Sequence, residues 1–172
     1  MSLLEIVTFP HPALKTKAGE VKGLNPDLEQ LVQDLAETMY HAPGVGLAAN
    51  QVGILQQVAV VDVSGPEEEK NLIVLVNPRI VTQEGEEKNE EGCLSVPGFR
   101  AEVARALKIT VQARNLKGEE ITLTAEGIFA RALQHEIDHL QGRLFFDRLG
   151  RLKRSQIVRQ LKKKQSQSGK DT

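Results

Sequence analysis

The stretch Gly127-Ile128-Phe129-Ala130-Arg131-Ala132-Leu133-Gln134-His135-Glu136-Ile137-Asp138-His139-Leu140-Gln141-Gly142 decides how the chain is built. Its apolar residues repeat at three and four positions, the period of a helix that buries one face, and Gly142 stands where a C-cap glycine belongs. Inside it lies an HExxH sequence, His135 to His139. Two histidines four residues apart project from one helical face, as two ligands of one metal ion must, and the intervening Glu136 can reach water at that ion. The five-residue pattern alone arises by chance in many chains. Its position late in an amphipathic helix is what gives it weight.

A catalytic metal needs about three protein ligands and an open position, so the third ligand has to be found. In one common metallopeptidase pattern it is a His six residues after the second one, but here that position is Phe145. In another it is a downstream Glu, and no Glu follows Glu136. Asp147, between Phe146 and Arg148, reads as a packing turn with a surface ion pair. The search therefore moves upstream, to His11, His41 and Cys93. His11 precedes a proline and His41 sits at a helix end, places where a histidine is usually a surface or capping residue. Cys93 lies in Glu91-Gly92-Cys93-Leu94-Ser95-Val96-Pro97-Gly98, whose glycines permit a tight backbone approach. A lone Cys is most often a buried, inert thiol. Beside a helix that lacks one ligand, the metal reading of Cys93 is the stronger.

Outward from this centre, Asn25-Pro26 followed by Leu28, Leu31, Val32, Leu35 and Met39 predicts a capped helix that ends near His41-Ala42-Pro43-Gly44. Gln57–Val63, Leu72–Val76 and Ile80–Thr82 predict strands, and residues 107–113 and 121–125 alternate as an antiparallel hairpin about Asn115-Leu116-Lys117-Gly118. A last helix is expected from about residue 152 to 164, then a disordered tail over 166–172. The fold class is α+β, with antiparallel or mixed sheets around the HExxH helix and further helices near each end. One catalytic domain over residues 1–165 suits a length of 172.

No run approaches the ~18 apolar residues of a membrane span, and Met1-Ser2-Leu3-Leu4-Glu5 lacks a secretory pattern. With a single cysteine no intrachain disulfide is possible, so a soluble, cytoplasmic protein is expected. The net charge of −1 hides an asymmetry: from Arg151 to Thr172 eight Lys/Arg stand against one Asp, +7, leaving −8 for residues 1–150.

Three segments together resemble the peptide deformylases: Gly44-Val45-Gly46-Leu47-Ala48-Ala49-Asn50-Gln51, Glu91-Gly92-Cys93-Leu94-Ser95, and Gln134-His135-Glu136-Ile137-Asp138-His139-Leu140-Gln141-Gly142. They occur in that family's order and spacing, over roughly residues 5–165, and the end of the chain looks like the bacterial form with a basic C-terminal helix. The resemblance implies that Cys93, His135 and His139 bind the metal, that Glu136 is the catalytic acid and base, and that Gln51 and the Leu94 N–H stabilise the oxyanion. It implies Fe2+ as native ion, with Zn2+, Ni2+ or Co2+ able to replace it. The substrate would be the N-formylmethionyl end of a nascent peptide, and formate the product. Docking on the ribosome near the exit tunnel, through the basic helix, follows from the same likeness.

Stepping back along the helix from His135 by three, four and seven residues gives Ala132, Arg131 and Ile128, which with Val45 and Leu94 would line a pocket for the first side chain. Gly44, Gly46 and Gly92 would let an extended peptide approach as an added strand. Asp138 reads either as a partner of a ligand histidine or as a surface helix carboxylate. Two other functions compete: a zinc peptidase sharing the HExxH helix, disfavoured by the absent downstream ligands, and a noncatalytic ribosome-binding protein with a structural metal. A structural site is usually closed by four ligands, whereas three candidates beside a carboxylate suggest an open one.

Overall fold

The computed structural model describes residues 2–23 and 25–170, with side chains through residue 166. Helix α1, Pro26–His41, begins as the sequence predicts: Asn25 Oδ1 accepts from Leu28 N–H at 2.8 Å and proline occupies the first turn, where its missing N–H costs nothing. Strands β1 (Gly46–Ala48), β2 (Val58–Val61), β3 (Ile73–Glu84), β6 (Lys108–Arg114) and β7 (Glu120–Glu126) form one antiparallel sheet in the order β1-β2-β3-β6-β7. Strands β4 (Glu87–Cys93) and β5 (Val96–Arg105) pair separately, antiparallel, across a two-residue turn at Leu94-Ser95.

Helix α2, Gly127–Leu140, lies against the large sheet. In β2 successive side chains point to opposite faces. Val58 and Val60 join a core cluster with Leu31, Leu35 and Met39 of α1, while Val61 joins another with Leu133 and Ile137 of α2. The sheet is thus covered by α1 on one face and α2 on the other. This explains why β2 is apolar at every position and fully buried. A third cluster, with Leu14, Val96, Val103, Phe145 and Phe146, seats the last helix, α3 (Arg151–Lys170), through Leu161.

The α+β architecture agrees with expectation, and three local readings change. The two predicted runs 72–76 and 80–82 are one strand, carried across Asn77-Pro78 by register shifts. Asn77 holds this kink at φ +52, with its side-chain amide bonded to both backbone groups of Val21; asparagine tolerates that left-handed conformation better than most residues. The β4–β5 pair was not anticipated, because Glu87-Lys88-Asn89-Glu90-Glu91 has poor strand propensity. Finally, α3 spans Arg151–Lys170, beyond the expected end at 164 and into the expected tail, whose last two positions lie outside the described residues.

Candidate metal centre

Gly142 ends α2 at φ +77, and a Cβ there would meet the backbone of Lys15 and Thr16 at 2.9 Å, so the helix terminus is pinned against the N-terminal segment. One turn earlier the helix presents His135 and His139, and β4 brings Cys93 to them. The ligand atoms of these three residues all lie within 4.8 Å of one another. His139 Nε2 is 3.4 Å from Cys93 Sγ and 3.1 Å from His135 Nε2. The other upstream candidates are elsewhere: His11 Nδ1 accepts from Ala13 N–H at 3.1 Å, and His41 is exposed at the end of α1. Phe145, where another metallopeptidase pattern would have its third histidine, stacks on the His135 ring at 18° and 6.5 Å between centroids. Asp147 is ion-paired with Arg154 at 2.8 Å and with Lys15.

The donor set fits a metal ion. His135 Nδ1 lies 2.9 Å from Glu91 Oε1. A carboxylate only accepts, so this nitrogen carries a proton, and Nε2 is the atom left to face the cluster, where an ion would take the place of its proton. Bonds of about 2.0–2.1 Å to nitrogen and about 2.3 Å to sulfur set tetrahedral donor spacings of roughly 3.3 Å and 3.5 Å, close to the two found at His139. The electrostatics point the same way. Burial lowers the His135 pKa, but Cys93 and Glu91 outweigh it and lift it to about 10, while burial and then the neighbouring His135 hold His139 well below its ordinary value. The cluster thus favours one positive charge, at His135, and disfavours a second at His139.

Beside the donors, Glu136 is 4% exposed, and its Oε2 has no hydrogen-bond partner among the described residues. Burial pushes its carboxyl up to about 7, even though His135 and Arg105 pull it down, a value suited to exchanging protons near neutrality. Gln51 stands in a 3-10 turn after β1. Its Oε1 accepts from Ala48 N–H at 3.0 Å, which orients the amide so that Nε2 donates to Ser95 Oγ at 3.2 Å and approaches Cys93 Sγ at 3.6 Å.

A cleft of about 680 Å³ opens over this floor. The structure brings to it every residue that the sequence reading assigned to a peptide pocket. Val45 and Ile128 are exposed at its rim, Ala132 is nearly buried, and Leu94 lines it beside Gly44. Gly92 faces Arg100, and the space over Gly46 is filled by Glu136. Arg131 also lines the cleft, yet its guanidinium is engaged within the protein, by Glu91, Val103 O and Glu87 O.

Two features escaped the sequence reading. Glu91, treated there only as part of a motif, is the partner of His135. Asp138 is neither a surface carboxylate nor a partner of a ligand ring: it is 5% exposed and binds Arg105 and Arg148. Had β4 been recognised as a strand, the two-residue period would have placed Glu91 on the side of Cys93. Arg105 gave no local signal.

The polypeptide deformylase family model matches residues 3–155. A peptide deformylase of Syntrophobacter fumaroxidans is 49% identical over 95% of this chain and 96% of its own, and one of Xylella fastidiosa is 50% identical with the same coverage. Among solved structures, the peptide deformylase of Legionella pneumophila superposes with a TM-score of 0.88 at 43% identity, covering 98% of each chain. That of Ehrlichia chaffeensis in complex with actinonin gives 0.86 at 39%, covering 95% of this chain and 98% of the other. On this evidence of sequence and fold, the chain belongs to the polypeptide deformylase family.

Proposed function

We propose that the chain, a metal-dependent hydrolase, removes the formyl group from the N-terminal formylmethionine of new polypeptides at the Cys93, His135 and His139 cluster, with Glu136 as acid and base. The activity comes with the family. The observation that supports the assignment of residues is the meeting of three closely spaced donors, an unpartnered buried carboxylate and the floor of an open cleft. A divalent ion held by those donors supplies Lewis acidity and lowers the pKa of water toward neutrality. Ferrous iron is the native ion in this reading, and zinc, nickel or cobalt can replace it, since imidazole accepts all four and thiolate suits the softer ones.

Glu136 takes a proton from the attacking water as oxygen joins the formyl carbon. Negative charge then grows on the formyl oxygen, where the Gln51 amide N–H and the Leu94 backbone N–H act as donors that strengthen in the transition state. Glu136 returns the proton to the amine nitrogen as the C–N bond breaks, and formate and a free N-terminus leave. Val45, Leu94, Ile128 and Ala132 offer apolar surface to the methionine side chain, Gly44, Gly46 and Gly92 let the peptide backbone approach, and Arg131 braces the wall of the groove.

Residues 1–165 act as one catalytic domain in the cytoplasm, docked on the ribosome through α3. In support, among the described residues no helix is long and apolar enough to cross a membrane. Formate release from formyl-Met peptides by protein prepared anaerobically with iron is the deciding experiment. Cleavage of internal peptide bonds without formate would overturn the reading in favour of a peptidase.

A further inference from the structure

Arg105, near the end of β5, is the most deeply buried cation among the described residues, with a side chain 0% exposed. It touches two carboxylates on different elements. Its Nε and Nη2 donate to the two oxygens of Glu91 on β4, at 2.7 and 2.8 Å, and its Nη1 donates to Asp138 on α2 at 2.6 Å. Neither carboxylate depends on Arg105 alone. Glu91 also accepts from Arg131, and Asp138 also accepts from Arg148, at 2.5 and 2.7 Å. Arg105 is therefore not needed merely to neutralise either charge. What it adds is a link, for it joins the strand that ends at Cys93 to the helix that carries His135 and His139.

The consequence lies at Glu91. A fork-shaped guanidinium that grips both carboxylate oxygens fixes the carboxylate plane. Oε1, shared between Arg105 Nη2 and His135 Nδ1, is thereby held at 2.9 Å from the ring. We infer that Arg105 is a positioning residue for the metal centre: through Glu91 and Asp138 it sets the rotation and tautomer of His135 and the spacing between Cys93 and the two histidines. The inference rests on reading those three residues as the ligands. A lysine keeps the charge but has no planar fork, so it cannot hold Glu91 in two bonds and reach Asp138 in a third.

The test compares Arg105→Lys with Arg148→Lys, both as cobalt-loaded full-length protein. Arg148 shares Asp138 but makes no contact with Glu91, so it controls for loss of stability. Release of cobalt to a chelator and the visible cobalt absorption are recorded with the melting temperature. Outer partners of metal ligands are worth about 10–100-fold in affinity. Arg105→Lys is expected to release cobalt about 10–100 times faster than the unaltered protein, with a changed spectrum, while Arg148→Lys stays within about threefold even if it melts lower. Equal release in both variants, tracking melting temperature, would reduce Arg105 to a structural role and overturn the inference. If Arg105→Lys does not fold, Glu91→Gln takes its place, since a carboxamide cannot be gripped by the same fork; its release at the unaltered rate would be equally fatal. An unaltered protein that takes up no cobalt would instead remove the metal reading itself, and the inference with it.

Discussion

A Cβ on Gly46 would lie 2.6 Å from Glu136 Oε1, 2.8 Å from its Cγ and 2.9 Å from its Cδ. The carboxylate of α2 thus fills the space a side chain on this β1 glycine would take, and the small residue read from the sequence as room for a peptide is room for the acid and base. In Gly46→Ala, Glu136 must rotate, within a site where it is 4% exposed. Overpacking of this kind costs about 1–3 kcal/mol. A fall in kcat of about 10–100-fold is expected, with metal content unchanged. Steady-state kinetics beside metal analysis would show it, and an unaltered kcat would contradict the contact.

Glu136→Gln should retain the metal and lose about 10²–10⁴-fold in turnover, the usual worth of a general acid and base. Because Gly46→Ala acts through the same side chain, the double variant should be no slower than Glu136→Gln alone. Additive losses would place the effect of Gly46 elsewhere, and loss of metal from Glu136→Gln would make Glu136 a ligand.

Cys93→Ala should lose metal and activity together, whereas His41→Ala should lose neither. His11→Ala keeps both as well, though it gives up the bond to Ala13 N–H and with it about 1 kcal/mol of stability. The iron form should also lose activity in air, because thiolate and ferrous ion both oxidise, and nickel should slow that loss. Metal content after gel filtration would decide the ligand question; retention by Cys93→Ala is the adverse result.

What could be read from the sequence followed from short-range pattern. The period of α2, its terminal glycine and the four-residue spacing of His135 and His139 are local, and the structure reproduces them. Cys93 became legible through what α2 lacked. The support of the centre was not legible, because Arg105 meets Glu91 across 14 residues and Asp138 across 33, and no periodicity connects them. Glu91 was obscured for another reason. Its strand carries no apolar alternation, its first four residues being exposed, and the burial of Glu91 comes with guanidinium partners and not from a hydrophobic face.

Asp62 supplies a test by pH. Its Oδ2 accepts from Tyr40 O–H at 2.6 Å and Asn71 N–H at 3.0 Å, and its Oδ1 from Ser64 Oγ–H at 2.6 Å and Ser64 N–H at 2.9 Å. Burial raises the carboxyl, but these bonds outweigh it and hold it at about 2, while burial and the bond to Asp62 push Tyr40 up to about 12. The depressed Asp62 contributes stability above its ordinary 3.8 and loses it as pH falls toward 2. The raised Tyr40 contributes below its ordinary 10.0 and loses it as pH rises toward 12. Tyr40→Phe removes a bond to a charged group, about 1.5–3 kcal/mol at pH 7. Its deficit should shrink below pH 4 and above pH 10. Urea unfolding at pH 3, 7 and 11 would reveal this, and a deficit constant across all three would refute it.

The basic helix α3 calls for a variant that spares the cleft. Lys164 lies 5.8 Å from the Phe99 ring centroid and would meet a Cβ on Gly98, two residues that line the cleft, and Arg154 is paired with Asp147. Ile157 and Val158 pack on the body with Leu161. Arg159, Lys162 and Lys163 remain exposed, so reversing these three to glutamate changes charge without removing packing. If α3 docks on ribosomal RNA, each phosphate contact releases counterions and binding weakens steeply with salt. The body, at −8, is repelled by the same phosphates and would turn the helix toward them. Formate release from short peptides should stay within about twofold of the unaltered enzyme, since short-range contacts at the cleft are untouched and distant charges are screened beyond about 10 Å. Cosedimentation with ribosomes at low salt should disappear. The bland alternative, that these cations only keep a surface helix solvated, predicts unchanged cosedimentation across a salt series, and that outcome would end the docking proposal.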